Sequence, residues 1–140
     1  MKTFPFSSER ILLARLDRGD DLLEALTALC AAERVEAGVI HAIGAVERAV
    51  VGYYDQAAGH YERLVFEQGL EIANLNANVS IKDGAPFVHA HVTLSDADGR
   101  CVGGHLMPGT RVFACEIQLR AFTGAPPVRG LDEPTGLPLW

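Results

Sequence analysis

Three histidines within a short stretch carry most of the chemistry available to this chain: His89 and His91 in VHAHVTLS, and His105 in CVGGHLM. Imidazole is the commonest side-chain ligand of divalent metals, and three such ligands leave one coordination position for water or substrate. His89 and His91 are two residues apart, so on a strand they share a face. Val88, Ala90, Val92 and Leu94 alternate with them and with Thr93 and Ser95, the period-two pattern of a half-buried strand. Beyond the turn, Val102, Gly104 and Leu106 alternate with Cys101, Gly103, His105 and Met107.

Whether His105 joins the other two depends on the turn. A three-residue loop of Ala97, Asp98 and Gly99, with Gly99 left-handed, pairs Asp96 with Arg100 and sets His91 opposite His105. Directly opposed Cβ atoms lie about 4.5–5.5 Å apart, and His89 is then one rung along, about 6.6 Å away. A two-residue Asp98-Gly99 turn instead pairs His105 with Val92 and sends it to the other face. The first register gathers His89, His91 and His105 as metal ligands for a divalent ion, with zinc the expected cofactor. The second leaves histidines that merely face solvent. Gly103 and Gly104 carry no side chain, so a ligand or another backbone could approach closely there.

The remaining reactive side chains are weaker candidates. Cys101 lies two rungs from His105 in the first register and reads as a small half-buried residue. Cys30 falls on the apolar stripe of a helix and reads as core. With Cys115 these make three widely spaced cysteines, which imply no disulfide framework. His41, inside VIHAIGAV, reads as a buried, hydrogen-bonded core histidine, and His60 as a solvated loop-edge residue. Met107-Pro108-Gly109-Thr110 has the composition of a type II turn. A hairpin there pairs Val112 with His105 and Glu116 with Cys101, which puts Glu116 on the histidine face about 13 Å from His105. That is too far for a general base without a bend or a second subunit, so no catalytic residue is assigned.

The elements that must hold these residues follow from the patterning. Residues 10–17 predict a strand that is apolar on both faces, hence central. Asp20 or Asp21 caps a helix, with Glu24 completing a capping box. Leu22, Leu23, Leu26, Leu29 and Cys30 form its stripe, and it fades near Glu36 with Gly38 as a stop signal. Strands follow at 39–46, 49–54, 60–66, 70–81 and 111–122. In the strand at 70–81, Ala73, Leu75, Ala77 and Val79 predict an apolar face. Asn74, Asn76, Asn78 and Ser80 predict a polar one, either solvated or lining a cleft or subunit interface. Residues 124–140 hold four of the seven prolines and are expected to be irregular. Leu131, Leu137, Leu139 and Trp140 within them should cover the sheet or a neighbouring subunit.

At 140 residues, 49% apolar and 21% charged, the chain is expected to form one domain, 1–140, with a real core. No apolar run reaches the roughly eighteen residues of a membrane span, and the first residues lack a secretory h-region, so the cytoplasm is the expected location. The net charge is −6 and the only lysines are Lys2 and Lys82, which gives no electrostatic basis for gripping nucleic acid.

Taken in order, AGVIHAIGAV, VGYYD, Tyr61 in the next strand, LEIANLNANVS, HAHVTLSDADGRCVGGHL, the strand with CEIQL and the closing RGLDEPTGLPL resemble the PPC ("plants and prokaryotes conserved") domain family, in its stand-alone prokaryotic form. The resemblance implies a small α/β (α+β) fold, a largely antiparallel sheet with one main helix, assembled as a homotrimer. It implies a metal site at His89, His91 and His105 and supports the three-residue loop. The family commonly has small residues where this chain has His41-Ala42, and glycine where it has Asn76. No Arg-Gly-Arg-Pro hook of the plant members occurs, so the DNA-binding label carried by many prokaryotic members has no residues behind it here. A more distant similarity in fold to acetolactate decarboxylase, a histidine-ligated zinc lyase, suggests chemistry on a small carbonyl or carboxylate compound. Three functions are therefore in play: a metal-binding protein with a small ligand or protein partner, a zinc-dependent enzyme, and a transcription-related DNA-binding module.

Overall fold

Alternation of buried and exposed residues along the strands at 70–82, 85–95 and 111–123 builds a sheet with a covered face and an open face. The computed structural model describes residues 2–140, without the side chains of residues 8 and 9. Its elements are β1 (Ser7–Leu16), α1 (Leu22–Ala32), β2 (Gly38–Asp55), β3 (His60–Phe66), β4 (Leu70–Lys82), β5 (Ala85–Ser95), β6 (Cys101–Leu106), β7 (Arg111–Thr123), β8 (Gly130–Asp132) and β9 (Leu137–Leu139). The main sheet runs β1-β7-β2-β4-β5-β6, with β3 on β2, and its ladders are antiparallel. This is the expected mostly antiparallel α+β architecture with one helix among the described residues. At eleven residues, that helix is not long enough to cross a membrane.

α1 begins where Asp21 accepts from the Leu23 and Glu24 amides, each at 3.1 Å, an N-cap that satisfies two otherwise orphaned donors. It ends at Ala32, earlier than the Glu36 expected from sequence. Arg34 takes the left-handed conformation (φ 55°), and the Val35 amide reaches back to the Cys30 carbonyl at 2.8 Å, a Schellman closure in which arginine stands where glycine is usual. Leu22, Leu26 and Cys30 then pack with Ile40, Leu75, Ala90, Val92, Leu94, Leu106, Ile117 and Leu119 in a single buried cluster. Among the described residues, no helix covers the other side of the sheet.

Three expectations about the strands are corrected. β1 is an edge strand paired only with β7, not a central one. Leu12, Ala14 and Leu16 pack on the core, while Ile11 and Leu13 are 53% and 83% exposed on the open face. In β4 the register shifts between Ile72 and Asn74, a bulge that puts Ile72 in the core and Ala73 outside it. β6 and β7 do not form a hairpin. The link between them crosses Val50 of β2, whose amide donates to Thr110 Oγ1 at 2.9 Å and whose carbonyl accepts from it at 3.0 Å. β2 is eighteen residues long and separates the two: its first half pairs with β7, while Val51 and Gly52 pair with Leu106 and His105 of β6. Val112 accordingly pairs with Val46, and Glu116 with Arg15 and Ile43.

The segment 124–140 is not wholly irregular. Gly130–Asp132 and Leu137–Leu139 form a small two-stranded sheet, anchored where the Arg129 amide donates to the Ile81 carbonyl at 2.8 Å and the Ile81 amide donates to the Pro127 carbonyl at 2.9 Å. Leu131 and Leu139 are exposed in the subunit and do not cover the sheet, while Leu137 and Trp140 are half-buried.

Candidate metal centre

The β5–β6 turn takes the three-residue form. The Asp96 amide donates to the Arg100 carbonyl at 3.0 Å, Gly99 has φ 76°, and the Asp96 carboxylate accepts from the Asp98 and Arg100 amides at 2.9 Å each. His91 therefore stands opposite His105 and Ser95 opposite Cys101. His89 shares their face one rung along. The ring centroids are 5.2 Å apart for His89 and His91, 5.0 Å for His89 and His105, and 5.4 Å for His91 and His105. One nitrogen from each ring lies within 4.8 Å of the other two.

The surroundings suit a cation held by neutral imidazoles. His89 and His105 are half-buried, while His91 opens to solvent. Burial first, then the charges of Arg129 and His91, pushes the His89 pKa below its usual value. Burial, then His89, His91 and Arg129, pushes that of His105 down to about 4. Both rings are thus unprotonated near neutrality and free to offer lone pairs. The buried Nδ1 of His105 has no hydrogen-bond partner, an arrangement that costs free energy unless something fills the role. A divalent ion bound at that nitrogen would do so, and three histidines are a donor set that fits one.

Close backbone approach permits the crowding. A Cβ on Gly103 would lie 2.3 Å from the Val92 carbonyl oxygen, and one on Gly104 (φ 159°) 2.6 Å from that of Gly52. Tyr61 of β3 stacks its ring 4.9 Å from His105 and 5.0 Å from Tyr54. Burial, and then Tyr54, raises the Tyr61 pKa, keeping the phenol neutral. Sequence reasoning did not single out Tyr61 as a site residue. Its signal was its place among aromatic residues in a short exposed hairpin.

The other candidates lie elsewhere. His41 is exposed, not buried: it alternates out of the apolar strand onto the open face, opposite Asn76, which is in turn opposite His91. It is outside the ligand cluster, as is Cys101, which is exposed rather than half-buried. Glu116 lines a separate open-face groove of about 580 Å³ with Leu13, His41, Ile43 and Gln118. His60 is exposed and bonds Glu62 at 2.9 Å. Asn74, Asn76 and Asn78 do line clefts beside His89 and His91.

A family model described as the Plants and Prokaryotes Conserved (PCC) domain matches residues 4–123. The crystal structure of a metal-containing protein from Archaeoglobus fulgidus shares 44% identity at a TM-score of 0.96, covering 100% of this chain and 99% of that one. A plant- and prokaryote-conserved (PPC) protein of Pyrococcus horikoshii shares 36% identity at a TM-score of 0.94, covering 100% and 96%. The bifunctional GlmU protein of Synechococcus sp. strain JA-2-3B'a(2-13) is 34% identical over 110 residues, 78% of this chain but 16% of that protein, as is its counterpart in strain JA-3-3Ab. The chain thus spans about a sixth of the length of these curated relatives.

Proposed function

The chain belongs to the Plants and Prokaryotes Conserved domain family, and on that premise we propose that it is a cytoplasmic homotrimer whose His89, His91 and His105 hold one divalent ion, zinc, at a site that binds a small ligand or a protein partner. The observation that carries this reading is the convergence of three imidazole nitrogens within 4.8 Å, with His105 Nδ1 buried and unpartnered. The metal-containing Archaeoglobus relative supports it. Trimerisation is supported by the helix-free face, where Ile11, Leu13 and Ile43 expose apolar side chains of the kind that mark an interface. Metal analysis of untagged protein purified without chelator tests the centre: one equivalent per subunit, lost in His91→Ala, is expected. Metal-free wild-type protein that fails to take up zinc would overturn it.

A second reading, a zinc-dependent enzyme acting on a small carbonyl or carboxylate compound, is favoured by Tyr61. When bound, a divalent ion with three protein ligands supplies Lewis-acid polarisation of a carbonyl oxygen. Tyr61 adds a neutral phenol beside His105, a group able to donate a proton to developing charge. Turnover of 2-oxo or 2-hydroxy acids that falls in Tyr61→Phe would establish this reading over simple binding. A DNA-binding role has no counterpart in the residues, and retention on duplex DNA at about 150 mM salt would be the result that revives it.

A further inference from the structure

Among the described residues, the buried side-chain nitrogen and oxygen atoms without a hydrogen-bond partner are His105 Nδ1 and Arg129 Nη2. A metal ion bound at that nitrogen would account for the first. It cannot account for the second, because a guanidinium nitrogen only donates and needs an acceptor oxygen. Arg129 is 9% exposed and forms no ion pair with a described carboxylate. Its Nε donates to Ser80 Oγ and its Nη1 to the Pro138 carbonyl, both at 2.8 Å. The guanidinium lies 4.9 Å from the Phe87 ring centre and 4.3 Å from that of Trp140. Arginine is thus locked in place with one edge left over.

That placement is next to the histidines. Ser80 pairs with Phe87, and the next rung on the same face is Asn78 with His89, about 6.6 Å along the strand. Lys82 Nζ lies 5.4 Å from the Phe87 ring on the same edge and also has no acidic partner within salt-bridge distance among the described residues. The ligand cluster itself contains no carboxylate. A divalent ion on three histidines beside a guanidinium leaves a strongly positive, partly desolvated site, and buried charge without a counter-charge is costly.

We propose that Arg129 sets the ligand class of the three-histidine centre: a small carboxylate, with the guanidinium as its charge partner. This rests on the metal centre proposed above. A carboxylate fits better than a phosphate because Nη2 is the one guanidinium nitrogen left without an acceptor, and aromatic rings flank the group. Phosphoryl groups are usually cradled by several donors, backbone amides among them.

The test uses full-length protein loaded with cobalt(II), titrated with lactate and with its uncharged isostere lactamide and followed by visible absorption. Metal content of each sample is measured first. Expected are one metal per subunit in wild type and Arg129→Met, lactate bound at least about tenfold more tightly than lactamide by wild type, and that preference reduced to a few-fold in Arg129→Met. Arg129→Lys keeps the charge but not the fork, and is expected to retain the preference with weaker lactate affinity. A preference unchanged in Arg129→Met, lactate affinity unchanged in Arg129→Lys, or inorganic phosphate binding more tightly than lactate would overturn the assignment with the metal centre intact. Absence of metal from the wild type would overturn both readings, and the metal measurement tells the two failures apart.

Discussion

His91 of β5 stands directly across the hairpin from His105 of β6, their rings 5.4 Å apart and nearly perpendicular. The loop permits this pairing, but the core holds it. A slip of one residue would turn Val92 and Leu94, now buried, outward. Gly99 occupies the left-handed position at φ 76° with open space around its Cβ direction. Gly99→Ala should therefore cost only about 1 kcal/mol in urea denaturation while leaving metal content at one per subunit. Loss of metal in that variant would mean that the turn, not the core pattern, sets the register.

Metal removal should destabilise the fold by mass action. If the ion binds only the folded hairpin, its presence at a hundredfold excess over Kd contributes about 2.7 kcal/mol. For a domain of this size that corresponds to a Tm about 10 °C higher. Differential scanning calorimetry with and without chelator reads it directly. His105→Ala should show no chelator effect, whereas an equal shift in that variant would place the ion elsewhere.

The metal-free protein should lose stability in acid. The folded-state pKa values of His89 and His105 lie below the usual 6.5, that of His105 at about 4. Below pH 6.5 the unfolded chain therefore binds protons that the folded chain refuses, so stability falls as pH drops from about 6.5 towards 4 and levels off below that. Urea midpoints of metal-free protein across this window should decline, and less so in a His105→Gln variant. A flat profile in the wild type would contradict the burial of these rings.

At Gly44, beside a register shift in the β2–β4 ladder, β2 runs hard against β7. Its φ is 142°, and a Cβ there would sit 2.1 Å from the Ala114 carbonyl oxygen and 2.9 Å from Cys115 Cα. The backbone of β7 cannot yield cheaply there, so Gly44→Ala should cost about 3 kcal/mol. Gly130→Ala, where nothing lies within 4 Å of the new atom, should be near neutral. Similar denaturation midpoints for the two variants would show that β2 has room the structure denies it.

The histidine hairpin is legible as a hairpin because its evidence is local, a two-residue period on either side of an Asp-Gly turn, but that dipeptide fits two registers, and only the family resemblance favours the one that gathers the three histidines. What sequence missed depends on distant strands. The β6–β7 turn signature is present, yet β2 lies between the two strands, and nothing in residues 101–123 reports that. His41 was read as buried because its neighbours are apolar, but strict alternation within β2 sends it outward. Arg129 sits in a proline-rich segment that looks irregular, and only the folded chain brings it over Phe87.

The misreading of β1 has a consequence for assembly. Ile11 and Leu13 look like core residues by type, and the subunit leaves them at 53% and 83% exposure beside Ile43 at 58%. A free surface would not need three large aliphatic side chains together, whereas a homotrimer would bury them. Leu13 contributes little to the subunit's own core, so Leu13→Asp should leave the far-ultraviolet circular dichroism spectrum unchanged. It should convert a particle of about three subunits into monomers by light scattering, because an aspartate buried in an interface without a partner costs several kcal/mol. A variant that stays trimeric would move the interface off this face, and a wild type that is already monomeric would remove the trimer altogether.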